Sequence, residues 1–214
     1  MYRRVVKRLF DILLSIIALP FVALEFVIVA PLIYHEDKGA IFYNALRIGE
    51  GGRPFVMYKF RSMRINAPDL KMDDGSTYNA VDDPRQTKIG AFLRKTSLDE
   101  LPQVLNVLKG DMSLIGPRPD LAEEVALYQG NESRKLEVRP GISGYAQVYG
   151  RNALAWRDRL ALDVYYVEHL SLSLDARIFF KTFSVVLSQE GVYAADEQSD
   201  DDVEQDEGDG AEQD

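Results

Sequence analysis

Leu9-Phe-Asp-Ile-Leu-Leu-Ser-Ile-Ile-Ala-Leu-Pro20-Phe-Val-Ala-Leu-Glu25-Phe-Val-Ile-Val-Ala-Pro-Leu-Ile-Tyr34 is an apolar run of about 25 residues, long enough to cross a bilayer as a helix. No small-residue cleavage site follows it, which argues against a removed signal peptide. Asp11, Pro20 and Glu25 are awkward for a simple span: an acid in the bilayer costs on the order of 3 kcal/mol, and a proline removes a rung of the hydrogen-bond ladder. Arg3, Arg4, Lys7 and Arg8 precede the run, while Lys38, Arg47, Arg53, Lys59, Arg61 and Arg64 follow it. Positive residues stay on the cytoplasmic side, and here both flanks claim that side. A helix that enters the membrane, bends near Pro20 and returns to the same face satisfies both flanks. The alternative is an ordinary transmembrane helix kinked at Pro20.

The 214 residues, 46% of them hydrophobic, suffice for one globular domain with a core. The absence of cysteine excludes a disulfide scaffold and a thiolate metal site. His35 and His169 are too few and too scattered for a His-rich zinc site. The net charge of -9 belongs to the C-terminal end: from Ala194 onward there are eleven acids and no Lys or Arg. Without that segment the body is mildly basic. The segment has almost nothing apolar to bury and lacks the Gly and Glu spacing of a calcium loop, so it is expected to be a disordered, solvating tail.

Within the body, Lys95-Thr-Ser-Leu-Asp-Glu-Leu-Pro-Gln103 carries adjacent carboxylates, Asp99 and Glu100. Pro102 suits a first helical turn, and Val104, Leu105, Val107 and Leu108 follow with helical spacing. The acids therefore fall where a helix begins and backbone N–H groups are unpaired. Such a pair can hold a divalent cation or offer a nucleophile to a phosphate bound there. Ser97 and Glu100 also have the spacing of a capping box, which needs no chemistry at all.

Around this stretch, Ile41-Phe-Tyr43 and Pro54–Phe60 read as a hairpin about Gly49–Gly52. Lys59, Arg61 and Arg64 on it could meet phosphates or lie solvated on the surface. Residues Asn66 to Gln86 are polar and rich in Asp, Gly and Pro, an exposed loop; Ile89 to Leu93 is a short helix leading to Arg94. Gly110 suits the C-cap of the helix after Pro102. In Gly116-Pro-Arg-Pro119 the flanking prolines leave Arg118 as a fixed guanidinium suited to bidentate phosphate contact. Leu121 to Leu136 is expected as an amphipathic helix. Arg139-Pro-Gly-Ile-Ser-Gly144 and the loop bearing Arg151 together form a candidate diphosphate cradle. Ala153–Leu170 and Leu174–Leu187 read as helices, the second aromatic and basic enough for a membrane surface, although core packing explains it as well.

Tyr58-Lys-Phe-Arg-Ser-Met63, Leu93–Gln103, Asn106–Pro119, Arg139–Gly144 and Gly150-Arg-Asn152 occur in an order that closely resembles the bacterial sugar transferases, the monotopic phosphoglycosyl transferases. The likeness runs from the hydrophobic helix to about Val192 and resembles the minimal catalytic form. It implies transfer of a phospho-sugar from a UDP-sugar to a polyprenol phosphate, usually undecaprenyl phosphate, releasing UMP in the first membrane step of glycan assembly. Carried over by position, Asp99 is the nucleophile that forms an aspartyl phosphosugar, and Glu100 with Asp99 binds Mg2+. Arg118 holds phosphate, Arg94, Arg151 and Asp175 are further substrate residues, and Pro20 breaks the re-entrant helix. The implied partners are the UDP-sugar, the polyprenol phosphate and the membrane, with no nucleic acid; downstream glycosyltransferases and a homodimer are compatible with that role. The implied location is the bacterial inner membrane, with the catalytic domain on its cytoplasmic face.

Two positions depart from the family pattern. Leu19 stands where relatives commonly have Ser before the helix-breaking proline, and Leu46 where they often have Gln before the hairpin arginine, a region given no site role. Two other readings are a direct glycosyltransferase, which would release UDP, and a non-catalytic membrane-anchored component of an assembly complex. The expected architecture is α+β: a re-entrant membrane helix over 1–36, a small, mainly helical catalytic domain with a short hairpin over 37–192, and the acidic tail over 193–214.

Overall fold

The computed structural model describes residues 2–70, 78, 83–150 and 154–188. The acidic tail and Arg151 lie outside the described residues, as does much of the polar loop before Asp83.

The apolar run forms α1, Lys7–Asp37, after a π-helical turn at Tyr2–Val6. Its 31 residues make a helix about 46 Å long if straight. It is helical throughout, with Pro20 and Pro31 inside, and is long and apolar enough to cross a membrane. Lys7, Asp11, Ser15, Val22, Val29 and Ile33 are buried at spacings of four and seven, so one stripe faces the body. Leu9, Leu13, Ile17, Phe21, Leu24 and Val27 remain exposed on the other faces. Asp11 is therefore not a lone acid among apolar neighbours: its Oδ1 accepts the Ser113 hydroxyl and the Leu114 N–H, each at 3.0 Å.

Both ends of α1 dock on the globular body. Near its start, Lys7 Nζ lies 2.7 Å from Asp175, and Arg8 donates to the carbonyls of Val107 and Leu108. Near its end, Val29 and Ile33 pack with Phe60 and Leu93, and Phe26 stacks against Phe42 and Phe60. Glu36 accepts the Lys88 and Ile89 N–H groups, and Asp37 takes a bidentate bond from Arg61 at 2.5 and 2.6 Å.

The hairpin pairs β1, Ala45–Ile48, with β2, Pro54–Met57, antiparallel. Gly51 and Gly52 turn it at φ of 69° and 75°, the region glycine enters without steric cost. The first strand begins later than expected. Of Ile41–Tyr43, Phe42 makes a bridge to Phe60, while Ala45 and Met57 enter the core with Phe55, Val107 and Met112.

The next helix, α2, spans Lys88–Thr96 and is capped by the Thr87 side chain, which accepts the Gly90 N–H at 2.9 Å. A 3-10 turn at Leu98–Glu100 separates it from α3, Gln103–Lys109. Pro102 stands at the start of α3 and Gly110, at φ 101°, ends it, both as expected. Ser97 is left-handed, at φ 57°, and its side chain caps nothing, so the capping-box reading fails. That serine ends α2 rather than beginning α3.

Three corrections concern the second half and the polar loop. Gly141–Ser143 is a strand, β4, parallel to β3, Ser113–Ile115. The helix expected over Leu121–Leu136 is interrupted: α4, Ala122–Val125, ends before Gly130 at φ 54°, and a 3-10 stretch, Glu132–Glu137, follows. In the supposedly exposed loop, Asp83, Arg85 and Gln86 are buried. Arg85 binds both oxygens of Asp83, at 2.9 and 2.7 Å, and the carbonyls of Pro68 and Tyr78.

Three helices complete the body: α5, Tyr145–Tyr149; α6, Trp156–Glu168; and α7, Leu172–Ser188. Tyr166, Leu174 and Ile178 pack there with Ile115, Val138 and Val148. The described fold is thus mostly helical, with a short antiparallel hairpin, one two-stranded parallel pair and one long apolar helix.

Gly90 lies where α2 meets the chain after the hairpin, and a Cβ there would be 1.9 Å from the Ser62 carbonyl oxygen. Gly90→Ala is expected to destabilise the fold by about 3 kcal/mol, read as a lowered denaturation midpoint with the helical circular dichroism of the folded state otherwise retained.

Candidate active site

The site is built on the 3-10 turn. Asp99 is 2% exposed, and its carbonyl accepts the Phe60 N–H at 3.0 Å. Lys59 stands on the same segment as Phe60, with its Nζ 2.7 Å from Asp99 Oδ2 and 3.4 Å from Glu100 Oε1. Arg118, 47% exposed, donates from both terminal nitrogens to Glu100 Oε1 at 3.0 Å. Two acids thus face two cations across the junction of the hairpin, the turn and the Gly-Pro-Arg-Pro loop.

Each partner is held from behind. Asn106, fully buried in α3, accepts the Tyr58 N–H at 2.9 Å and donates to the Val56 carbonyl at 2.7 Å, fixing the strand that leads to Lys59. Beyond Arg118, Asp120 accepts from Ile48 N–H at its carbonyl, 3.0 Å, and from Lys135 and the Tyr128 hydroxyl at its carboxylate, 2.7 and 2.5 Å. Before it, Gly116 N–H donates to Ser143 at 2.8 Å.

The electrostatics follow from these distances. Burial disfavours the charged form of Glu100, but the Arg118 and Lys59 cations outweigh it and hold the carboxyl down at about 2. Asp163, which shares Lys135 with Asp120 at 3.0 Å, goes the other way: burial pushes it up to about 6 although Lys135 pulls it back.

Asp99, Glu100 and Arg118 are therefore brought together as the sequence suggested, and Lys59 proves to belong with them. Arg61 is committed to Asp37 instead. Arg94 lies in the last turn of α2, with its charge acting on Asp83. Asp175 lies elsewhere, at the foot of α1. It is buried and bonded to Lys7 and to the hydroxyls of Tyr2 and Tyr166. Arg139 pairs with Glu50 at 3.6 Å. The glycines of the expected cradle serve close chain contact: a Cβ on Gly141 would be 2.1 Å from the Gly116 nitrogen, and one on Gly144 2.1 Å from its oxygen. Both carboxylate oxygens of Glu25, on α1, are buried without a hydrogen bond among the described residues. The sequence marked Lys59 only as one basic residue among three; what distinguishes it is its position next to Phe60, whose amide grips the turn.

The described residues hold no cluster of three or more metal-ligating side chains. Two adjacent carboxylates nonetheless fit Mg2+, which is held by one or two carboxylates when substrate phosphates and waters complete its shell.

The description "Bacterial sugar transferase" belongs to the family model that matches residues 2–189, and the chain belongs to that family, whose members are transferases. Among similar proteins, an uncharacterized sugar transferase, EpsL, of Bacillus subtilis is 41% identical over 188 residues, covering 88% of this chain and 90% of its own. The exopolysaccharide production protein ExoY of Sinorhizobium fredii is 40% identical over 198 residues, covering 87% of this chain and 88% of its own. An undecaprenyl-phosphate galactose phosphotransferase of Salmonella typhimurium is 40% identical over 207 residues, covering 89% of this chain but 42% of its own. The chain thus spans less than half the length of some curated relatives and most of the length of others.

Asp163 gives the site's support a pH signature. A carboxyl raised from 3.8 to about 6 adds stability that is complete below its unfolded value and is lost as pH rises through about 6. The difference in unfolding midpoint between wild type and Asp163→Asn is expected to change across that interval and to level off above about pH 7, as measured by denaturation at a series of pH values.

Proposed function

We propose that this chain transfers a phospho-sugar from a UDP-sugar to a membrane polyprenol phosphate, undecaprenyl phosphate, releasing UMP through a covalent aspartyl phosphosugar. The observation that carries the reading is the buried Asp99 carboxylate with Lys59 at 2.7 Å and the Glu100–Arg118 pair beside it. Family membership and the Salmonella relative's name agree with it.

In the first half-reaction Asp99 attacks the β-phosphorus, forming an Oδ–P bond as the bond to UMP breaks. Lys59 and Arg118 supply positive charge where the phosphoryl oxygens must lie. In the second, an oxygen of the polyprenol phosphate attacks the same phosphorus and frees the Asp99 carboxylate. Glu100 and Asp99 would hold Mg2+, which when bound neutralises the diphosphate. Arg94 and Arg151 are assigned to the substrate by resemblance. Asp175, with both oxygens bonded, acts by holding α1 in place.

The docking of α1 supports a helix that enters and leaves on one face, and the positive flanks assign that face to the cytoplasmic side. Its first residues reach Asp175, Val107 and Leu108, and its last reach Arg61 and the start of α2. A helix crossing about 30 Å of hydrocarbon could not leave both ends on one globular body that sits on one side.

Purified protein in nanodiscs, given Mg2+ and a panel of UDP-sugars without lipid acceptor, is expected to release about one UMP per enzyme, and to turn over only when undecaprenyl phosphate is added. Asp99→Asn should lose at least ~1000-fold and Lys59→Met ~100-fold in rate. Release of UDP would instead mean direct glycosyl transfer.

A further inference from the structure

Arg47 lies in β1, in the stretch to which the sequence assigned no role. Its side chain is only 18% exposed. Yet it makes no hydrogen bond among the described residues, and its Nε is buried without a partner. The nearest acid, Glu124 Oε2, is 3.9 Å away and already accepts the Leu121 N–H at 2.7 Å. The Ile48 N–H donates to the Asp120 carbonyl, so Arg47 is fastened alongside the segment that carries Arg118. The two guanidinium groups oppose each other: burial and then the Arg118 charge push the Arg47 pKa down, with Glu124, Tyr43 and Asp120 acting in the other direction.

A guanidinium has five N–H donors, and here the Nε–H is buried with no acceptor among the described residues, a cost that an unsatisfied buried donor always carries. The charge of Arg118 adds repulsion. Glu124, at 3.9 Å, offsets part of that repulsion by its charge but accepts no hydrogen bond from the guanidinium. What does relieve both is an anion with several oxygens lying between the two forks, where each arginine donates in bidentate fashion.

We propose that Arg47 and Arg118 form a two-guanidinium site for a substrate phosphate group, with Arg47 as a binding residue beside the acid pair. The inference rests on the phosphotransfer reading above, since it places a phosphate within reach of Asp99. The phosphate could be that of the nucleotide or that of the lipid, and the two are separable by experiment.

Full-length protein in nanodiscs is titrated calorimetrically with UDP and Mg2+, and separately with a short-chain prenyl phosphate, as wild type, Arg47→Gln and Arg47→Lys. Arg47→Gln is expected to weaken at least one of the two by ~10-fold or more, and Arg47→Lys to recover only part, since an ammonium keeps the charge but not the fork. Loss confined to UDP assigns the site to the donor; loss confined to the prenyl phosphate assigns it to the acceptor. Wild-type affinity for both ligands in a folded Arg47→Gln overturns the proposal. If Arg47→Gln does not fold, Arg47→Lys decides by the same comparison, and unaltered affinity in that variant overturns it. Wild type that binds neither ligand instead refutes the phosphotransfer reading, and the Arg47 site with it.

Discussion

Everything in this fold depends on a long apolar helix being tied to one small body at both ends. The ties are polar. Lys7 and Asp11 are buried at one end against Asp175 and the start of β3, and Glu36 and Asp37 hold α2 and Arg61 at the other. Paired charges of this kind contribute little net stability, because desolvation offsets most of the attraction. Their effect is on register. An apolar stripe could slide along a greasy groove at small cost, whereas a one-turn slip would strand Asp11 and Lys7 without partners. The rest of the helix surface is thereby left facing outward and suited to lipid.

The same ties govern the position of the acid pair. Glu36 satisfies amides at the start of α2, the far end of α2 stops at the left-handed Ser97, and the turn carrying Asp99 begins there. Phe60 closes the circuit: its ring lies in the cluster with Val29 and Ile33, and its amide holds the Asp99 carbonyl. The carboxylate is thus referenced to α1 through two independent paths. Its charge is balanced locally, by Lys59 on the hairpin side, while Glu100 is balanced by Arg118 on the other. Neither cation comes from the turn itself, so the cluster exists only when the hairpin and the Gly-Pro-Arg-Pro loop are both in place.

Much of this was legible in the chain because it depends on local chemistry. Pro102, Gly110 and the apolar period between them define α3; the long apolar run after Arg8 defines α1, although Pro20 within it suggested a bend where the helix continues; the prolines flanking Arg118 mark it out. What was not legible depends on partners distant in sequence. Arg139–Gly144 has the composition of a loop, and becomes a strand only because Ser113–Ile115 lies alongside, with glycines letting the backbones approach. Ser97 has the spacing of a cap, but its conformation is set by the need to turn α2 into the acid pair. Arg85 sits in a polar stretch yet is buried, because Asp83 and two carbonyls meet its nitrogens. Lys59 could not be separated from Arg61 by type or neighbourhood; only the fold sends one to Asp99 and the other to Asp37.

The site also has two unlike borders, and the proposed reaction needs both. Arg118 is half exposed, giving a charged border open to water that suits a soluble diphosphate. On either side of the turn, Phe92 of α2 and Leu105 of α3 expose apolar surface, while Phe26 of α1 stacks beneath through Phe42 and Phe60. A lipid phosphate brings a hydrocarbon chain that must stay out of water while its head reaches the nucleophile. Asp99 lies between the two, buried, so neither substrate meets it in bulk solvent.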